Sequence, residues 1–243
     1  MDIYPKLLAS KTKKRFALLI DPDKCGNDDI ITRIEGANKA GVDYIFIGGS
    51  LITVENLGKC LSTIRANTSI PLILFPGNGS HIHPNADAIL FLSLISGRNA
   101  DLLIGNHVHS APLIRKMNLE TIPTGYMLVE SGRLTTAQYM SGSLPIPHDK
   151  PDVAMATAIA GEMLGLKAIY MDAGSGAQIP ISEKMIQQVK ANISVPLIIG
   201  GGIRDTEAAI KAANAGADII VVGNAIEDNP KLIQEFTEAI HQL

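Results

Sequence analysis

The sequence predicts an α/β protein built as a single (β/α)₈ TIM barrel, and three observations favour that fold. Eight short runs rich in Ile, Val and Leu recur along the 243 residues, and most are separated by helical patterns. These runs lack polar alternation, which is typical of parallel strands buried on both faces. A barrel of this kind usually takes about 250 residues, so we expect one domain over residues 1–243.

The predicted strands and helices alternate along the chain. The strands are Phe16–Ile20, Tyr44–Ile47, Leu72–Phe75, Ala88–Leu92, Thr121–Val129, Ala168–Met171, Leu197–Ile199 and Ile219–Val222. The helices are Asp28–Ala40, Asn56–Ala66, Ala111–Met117, Asp152–Leu164, Ser182–Val189 and Thr206–Ala215. An open α/β sheet is the alternative. We prefer the barrel because no Gly-x-Gly-x-x-Gly motif follows the first strand, where a dinucleotide fold requires one.

Two connections depart from the alternation. Residues Pro76–Asp87 contain two Gly and two Pro, so the helix after the third strand is predicted to be missing or replaced by a loop. Such a gap in the helical ring exposes apolar flank that can accept a long hydrocarbon chain. Residues Ser131–Pro151 form a Gly/Ser/Pro-rich segment after the fifth strand, which we interpret as a long loop on the active-site face, where long loops often act as lids.

The composition excludes several classes of protein. Hydrophobic residues make up 46% of the chain and charged residues 19%, and a net charge of −3 without a basic run argues against nucleic-acid binding. Cys25 and Cys60 cannot form a disulfide framework or a four-cysteine zinc site, which fits a cytoplasmic location. The longest apolar stretches are too short to span a membrane. We expect a homo-oligomer that can still contact a membrane surface transiently.

Glycine-rich segments follow the last three predicted strands. They are Tyr170–Gly176, Gly200–Arg204 and Gly223–Ala225. Glycines allow backbone N–H groups to approach phosphate oxygens, and TIM barrels often bind phosphate at the ends of strands seven and eight. Glycines can also serve only to turn the chain. Three such clusters on one face of the barrel favour a phosphate site. Because no matching segment follows the third strand, we expect a substrate with a single phosphate monoester rather than one with phosphates at both ends.

Acidic and hydroxyl side chains follow the strands of the first half. Asp21 ends the first strand and Ser50 follows the second, and such oxygens suit Mg²⁺ that bridges a substrate phosphate. A helix N-cap is the alternative interpretation. Tyr170 and Asp172 are two residues apart and share a strand face, so Tyr170 can donate a hydrogen bond and Asp172 can act as a general base. A purely structural pair remains open.

These motifs together resemble the geranylgeranylglyceryl phosphate synthase family, which includes the heptaprenylglyceryl phosphate synthases. The resemblance runs from about Arg15 to Ile226. It rests on Ile20-Asp21-Pro22-Asp23-Lys24, Gly48-Gly49-Ser50, Phe75-Pro76-Gly77-Asn78, Leu92-Ser93-Leu94, Tyr170-x-Asp172-Ala173-Gly174-Ser175-Gly176, Gly200-Gly201-Gly202-Ile203-Arg204 and Gly223-Asn224.

The resemblance implies a TIM barrel that joins a polyprenyl diphosphate, here geranylgeranyl diphosphate, to the 3-hydroxyl of sn-glycerol 1-phosphate and releases diphosphate. It implies Mg²⁺ at Asp21 and Ser50. The residues implied for glycerol phosphate are Tyr170, Met171, Asp172, Ala173, Gly174, Ser175, Gly176, Gly201, Gly202, Gly223 and Asn224. Family members usually carry Glu where this chain has Asp172. Leu19 stands where the shorter bacterial branch has Lys, which favours the geranylgeranyl branch.

Other functions remain as alternatives. A heptaprenyl or other chain-length transferase keeps the same site with a deeper slot. A phosphosugar isomerase shares the phosphate site but requires a second phosphate site and a second acid on strand five, where Tyr126 and Glu130 are poor candidates. A Schiff-base aldolase requires a Lys inside the barrel, and Lys167 only precedes strand six. A non-catalytic barrel that binds a phosphometabolite would not need Asp21, Ser50 or Asp172.

Overall fold

Eight parallel strands close into a barrel in the computed structural model, which describes residues 2–24, 27–53 and 56–243, with only the backbone described at 27 and 28. Each strand pairs with the next, and the last pairs with the first, with Leu18 opposite Val222. The strands are β1 Arg15–Ile20, β2 Tyr44–Gly48, β3 Leu72–Phe75, β4 Ala88–Leu94, β5 Glu120–Leu128, β6 Ala168–Asp172, β7 Leu197–Gly200 and β8 Ile219–Val222. The predicted barrel and all its predicted strands are confirmed.

The helices surround the barrel and pack their apolar faces on it. They are α1 Ile3–Ala9, α2 Asn27–Ala40, α3 Leu57–Asn67, α4 Asn106–Lys116, α5 Thr136–Ser141, α6 Pro151–Met163, α7 Glu183–Lys190, α8 Thr206–Asn214, α9 Asn224–Asp228 and α10 Leu232–His241. Cys60 is buried in α3, whereas Cys25 lies outside the described residues. Across the described residues, each helix is too short or too polar to cross a membrane.

The helical ring is open after β3, as predicted. Between Phe75 and Ala88 the chain forms a single 3₁₀ turn at Gly79–His81 in place of a crossover helix. The side chain of Asn78 accepts a hydrogen bond from the Ser80 N–H and caps this turn. The outer faces of β3 and β4 are therefore left for other elements, or for a ligand, to cover.

Several helices were not predicted, and the predicted start of α4 was wrong. The sequence predicts that helix from Ala111, but α4 begins at Asn106 and a π-helical segment, Asp101–Gly105, precedes it. The burial of His107 and Ile114 on one face of α4 outweighs the helix-breaking effect of Pro112. The helices missing from the prediction are α1, α5, α9 and α10.

The segment Ser131–Pro151 is not wholly a loop, because it contains α5. Thr135 and Gln138 form a reciprocal capping box at its start, and Gly142 ends it in the left-handed conformation. The Thr-x-x-Gln spacing and the following glycine are signals of a helix start and end in the sequence. The many Gly, Ser and Pro residues of this segment favour a loop instead, so the helix was not predicted.

Helix α1 closes the amino-terminal end of the barrel. Ile3 and Leu7 are fully buried and pack with the interior side chains of the barrel. The carboxylate of Glu120 accepts hydrogen bonds from the N–H groups of Ile3 and Tyr4 at 2.6 and 2.7 Å, which anchors the start of α1. Ligands must therefore enter at the opposite end, where the carboxyl ends of the strands lie.

Candidate active site

Two adjoining cavities open at the carboxyl ends of the strands. One, of about 210 Å³, is the more polar of the two and is bordered by the ends of β1, β6, β7 and β8. The other, of about 320 Å³, is mostly apolar and lies beside β3, β4 and β5. Gly49, Ser50 and Phe75 border both. We call them the polar cavity and the apolar cavity.

Glycine backbone forms much of the wall of the polar cavity. Gly174, Gly201 and Gly202 have φ values of 88°, 79° and 73°, in the left-handed region that favours glycine. A Cβ on Gly201 would lie 2.5 Å from the Gly174 nitrogen and 2.6 Å from Oδ1 of Asp172. The loop after β7 can approach the loop after β6 this closely only because Gly201 has no side chain.

Polar side chains complete the rim of this cavity. The Ser175 hydroxyl donates a hydrogen bond to Oδ1 of Asn224 at 3.1 Å, joining the segment after β6 to the start of α9. Arg204 also borders the cavity, and its Nη2 donates to the carbonyl of Ala177 at 2.9 Å. A cationic guanidinium next to a glycine-lined wall suits an anionic group such as a phosphate monoester.

A cluster of three aromatic rings separates the two cavities. The ring of Tyr170 stacks on Phe75 with centroids 5.0 Å apart, and Tyr126 packs edge-on against both. Tyr126 lies opposite Tyr170 in the β5–β6 register, so the two side chains enter the barrel side by side. A Cβ on Gly200 would lie 2.4 Å from the hydroxyl oxygen of Tyr170. The absence of a side chain at Gly200 therefore leaves room for this hydroxyl.

Asp172 lies at this partition and is almost fully buried, with 7% of its surface exposed. Its Oδ2 accepts a hydrogen bond from the Tyr126 hydroxyl at 2.5 Å, and its Oδ1 accepts one from the Gly174 N–H at 2.7 Å. Burial raises the pKa of Asp172 above its ordinary value, and these two hydrogen bonds oppose the rise. A raised pKa makes the carboxylate a stronger base than an exposed one.

Asp21 and Ser50 both border the polar cavity, across from the glycine wall. Oδ1 of Asp21 accepts a hydrogen bond from the Asp23 N–H at 3.0 Å, and Nζ of Lys24 lies 3.8 Å from Oδ2. One carboxylate and one hydroxyl fit Mg²⁺, which usually keeps several waters and takes its other ligands from phosphate. Within the described part of the chain, no group of three or more His, Cys, Asp or Glu side chains is arranged to bind a metal ion.

The apolar cavity extends from the aromatic cluster toward the opening in the helical ring. Ile89, Phe91 and Leu94 of β4 line it from one side. The turn after β3, α4 and α5 complete its walls, with Ile114 from α4 and Ala137 and Met140 from α5. Its shape and lining suit a long hydrocarbon chain.

The structure brings most of the predicted site residues to the polar cavity. Those that border it are Asp21, Ser50, Tyr170, Asp172, Gly174, Ser175, Gly176, Gly201, Gly202, Gly223 and Asn224. The side chains of Met171 and Ala173 instead pack in the core between the barrel and the helices. Any contact of these two residues with a ligand would have to involve backbone atoms.

Sequence reasoning missed three contributors. Tyr126 was judged a poor acid, but the strand register that pairs it with Tyr170 puts its hydroxyl on Asp172. Arg204 was visible as the end of the Gly-Gly-Gly-Ile-Arg segment and could have been named. Thr136 of α5 borders the polar cavity. Its place there could not be predicted without the position of α5 in the fold.

The model of the PcrB family matches residues 9–240. The chain belongs to the PcrB family. A geranylgeranylglyceryl phosphate synthase of Chitinophaga pinensis is 52% identical over 241 residues, which cover 98% of this chain and 96% of that protein. One of Korarchaeum cryptofilum is 39% identical over 227 residues, covering 92% and 93% of the two chains.

Solved structures agree with these relatives. The (S)-3-O-geranylgeranylglyceryl phosphate synthase of Thermoplasma acidophilum, solved with its substrate sn-glycerol-1-phosphate, superposes with a TM-score of 0.94 at 33% identity over the full length of both chains. The tryptophan synthase alpha subunit of Legionella pneumophila, at a TM-score of 0.64 and 15% identity, shares the fold alone.

Proposed function

We propose that this chain transfers a geranylgeranyl group from geranylgeranyl diphosphate to the 3-hydroxyl of sn-glycerol 1-phosphate, with Mg²⁺ as cofactor. It is a prenyltransferase. The observation that carries the proposal is the pair of adjoining cavities, one lined by glycine backbone and the other apolar, which meet at a buried carboxylate. The names of its relatives support the same reaction.

The polar cavity binds glycerol phosphate in this proposal. The phosphate lies against the glycine loops after β6, β7 and β8, with Ser175 and Arg204 at the rim. The predicted contacts with Gly201, Gly202, Gly223 and Asn224 supply backbone or amide donors to the phosphate oxygens. The glycerol then extends toward Tyr170 and Asp172, so that its 3-hydroxyl lies at the partition between the cavities.

The apolar cavity binds the prenyl chain, and the diphosphate lies near Ser50, which borders both cavities. Asp21 and Ser50 would hold Mg²⁺, which when bound supplies charge neutralisation for the departing diphosphate. Lys24, whose Nζ lies 2.9 Å from Glu227 and 3.8 Å from Asp21, is the protein's own cation at this side of the polar cavity. The apolar walls keep water away from the reacting carbon, so the glycerol hydroxyl is the nucleophile that reaches it.

Asp172 provides the base at the point where the substrates meet. Its orientation is held by Tyr126 and Gly174, and its carboxylate is the anionic group nearest the aromatic cluster. The greater part of the rate enhancement comes from positioning two bound substrates and from charge neutralisation, with removal of the hydroxyl proton as a smaller contribution.

The test is a product assay with sn-glycerol 1-phosphate and geranylgeranyl diphosphate, run with Mg²⁺ and with a chelator. We expect a prenyl ether and free diphosphate with Mg²⁺, and neither with the chelator. Binding of glycerol phosphate without ether formation from any prenyl diphosphate would contradict the transferase and favour a non-catalytic phosphometabolite-binding barrel.

Prenyl chain length, the homo-oligomer, the membrane-surface contact and the cytoplasmic location stay predictions. A series of diphosphates from farnesyl to heptaprenyl in the same assay tests the chain length. Light scattering of the purified protein tests the oligomer. Val153, Met163 and Leu164 expose apolar side chains on or next to α6. If this face is the oligomer interface, replacing the three residues by Ser should lower the mass of the assembly.

A further inference from the structure

The hydrogen bond between Tyr126 and Asp172 crosses the partition between the two cavities. Tyr126 borders the apolar cavity, whereas Asp172 borders the polar cavity. The bond is 2.5 Å long, at the short end for a hydroxyl that donates to a carboxylate. A reaction between a molecule in one cavity and a molecule in the other takes place where the cavities adjoin, and Phe75, which borders both, packs against Tyr126.

Asp172 has little room to receive a further proton donor directly. Its Oδ1 already accepts a hydrogen bond from the Gly174 N–H and its Oδ2 one from the Tyr126 hydroxyl, and 7% of the residue is exposed, so a further donor can reach only the remaining lone pairs through a narrow opening. The phenol oxygen of Tyr126 keeps an acceptor lone pair while its proton points at Asp172. Tyr126 is also partly exposed beside the apolar cavity. The phenol oxygen thus lies between Asp172 and the apolar cavity and keeps an acceptor position for a hydroxyl that reaches the partition.

We infer that Tyr126 is a catalytic residue that relays the proton of the attacking glycerol hydroxyl to Asp172. The inference rests on the proposed function and deepens it. The glycerol oxygen forms a bond to C1 of the prenyl chain while the bond from C1 to the diphosphate oxygen breaks, and its electron pair leaves with the diphosphate. The hydroxyl proton passes to the Tyr126 oxygen as the Tyr126 proton passes to Oδ2 of Asp172.

This relay leaves Tyr126 neutral before and after the transfer, and Asp172 becomes a carboxylic acid that later loses its proton through the polar cavity. Burial raises the pKa of Tyr126 well above its ordinary value, and the charge of Asp172 raises it further. Tyr126 therefore does not act as a standing phenolate base. Burial also raises the pKa of Asp172, which suits the final acceptor of the proton.

The first test compares Tyr126→Phe with Tyr44→Phe. Tyr44 lies in the barrel interior at the closed end, 2% exposed, so its variant loses a hydroxyl from the same kind of environment without touching the site. We expect Tyr126→Phe to lower kcat by about 100-fold, within the range of general-base catalysis. The dissociation constant for glycerol phosphate, measured by calorimetry, should stay within about threefold in both variants, since binding relies on the glycine loops.

A pH profile separates a relay from a residue that only positions Asp172. The Tyr126 hydrogen bond lowers the pKa of Asp172, so its loss raises that pKa and moves the acid limb of the rate to higher pH. A positioning role predicts that Tyr126→Phe recovers its rate above this limb. A relay predicts that the rate stays about 100-fold low on the plateau.

Rescue by a longer carboxylate completes the test. Asp172→Glu placed in Tyr126→Phe adds one methylene, so the carboxylate can reach the glycerol hydroxyl through the space that the phenol oxygen leaves. We expect at least about tenfold recovery of kcat over Tyr126→Phe alone. A plateau rate of Tyr126→Phe near that of the unaltered chain overturns the relay alone. Absence of ether from the unaltered chain overturns the proposed function, and the relay with it.

Discussion

The two cavities of this barrel are built by different means. The polar cavity is formed by short segments that immediately follow strands, and left-handed glycines bring their backbones together. The apolar cavity is formed by an omission, the missing helix after β3, and by side chains of α4 and α5, the helices that follow β4 and β5. Phosphate binding therefore depends on local backbone conformation, and prenyl binding depends on how the side chains of separate elements pack.

Removal of the carboxylate where the cavities meet should have the largest effect. Asp172→Ala removes the final proton acceptor, so we expect kcat to fall by about 10²–10⁴-fold while the barrel stays folded. Steady-state rates with both substrates saturating, together with a thermal unfolding curve, check this. A rate within a few-fold of the unaltered chain would remove Asp172 from the mechanism.

The polar cavity should fail on a single added methyl group. Gly201→Ala puts a Cβ on a residue whose backbone is in the left-handed conformation. The added methyl group would also clash with Asp172 and the Gly174 nitrogen. A cost of about 2–3 kcal/mol corresponds to about 30–150-fold weaker glycerol phosphate binding, measured by calorimetry.

Gly41→Ala is the matched control for that substitution. Gly41 also has a positive φ, of 75°, but its added Cβ meets nothing within 4 Å. It should lower stability by about 1 kcal/mol and leave glycerol phosphate binding unchanged. Equal effects of the two substitutions on binding would show that strain alone, and not the shape of the cavity, explains the loss.

The apolar cavity should respond to a bulkier wall and leave phosphate binding intact. Ala137→Leu puts extra methyl groups from α5 into its lining, at a cost of about 1–3 kcal/mol. We expect the KM for geranylgeranyl diphosphate to rise about tenfold, and the KM for glycerol phosphate to hold. Ala66→Leu, at an exposed position of α3 that borders neither cavity, is the control. A rise in both KM values would mean that α5 does not distinguish the cavities.

The smallest effect is expected from loosening α5 at its N-cap. Thr135→Ala breaks the capping box and costs the helix about 1 kcal/mol. The KM for the prenyl diphosphate should rise a few-fold, and hydrogen exchange in α5 should quicken. Ser182→Ala removes the N-cap side chain from α7. None of the residues of α7 borders either cavity. Identical kinetics in both variants would show that the order of α5 is not needed for prenyl binding.

The same contrast explains which features were readable in the sequence. Strands buried on both faces are continuous apolar runs, so β1 to β8 and the gap after β3 were predictable, and so was the glycine wall. The start of α4 was not, because burial of His107 and Ile114 overrides the effect of Pro112. The role of Tyr126 depends on the β5–β6 register, which a single sequence does not reveal.

The most direct test of the two-cavity account is whether both substrates bind at once. Calorimetry would titrate sn-glycerol 1-phosphate into the chain saturated with Mg²⁺ and an unreactive thio-analogue of geranylgeranyl diphosphate. Separate cavities that meet only at the reacting atoms predict an unchanged stoichiometry and a dissociation constant within about threefold of the value without the analogue, a coupling below about 1 kcal/mol. Displacement of either ligand by the other would contradict the account, because it would place both substrates in the same space.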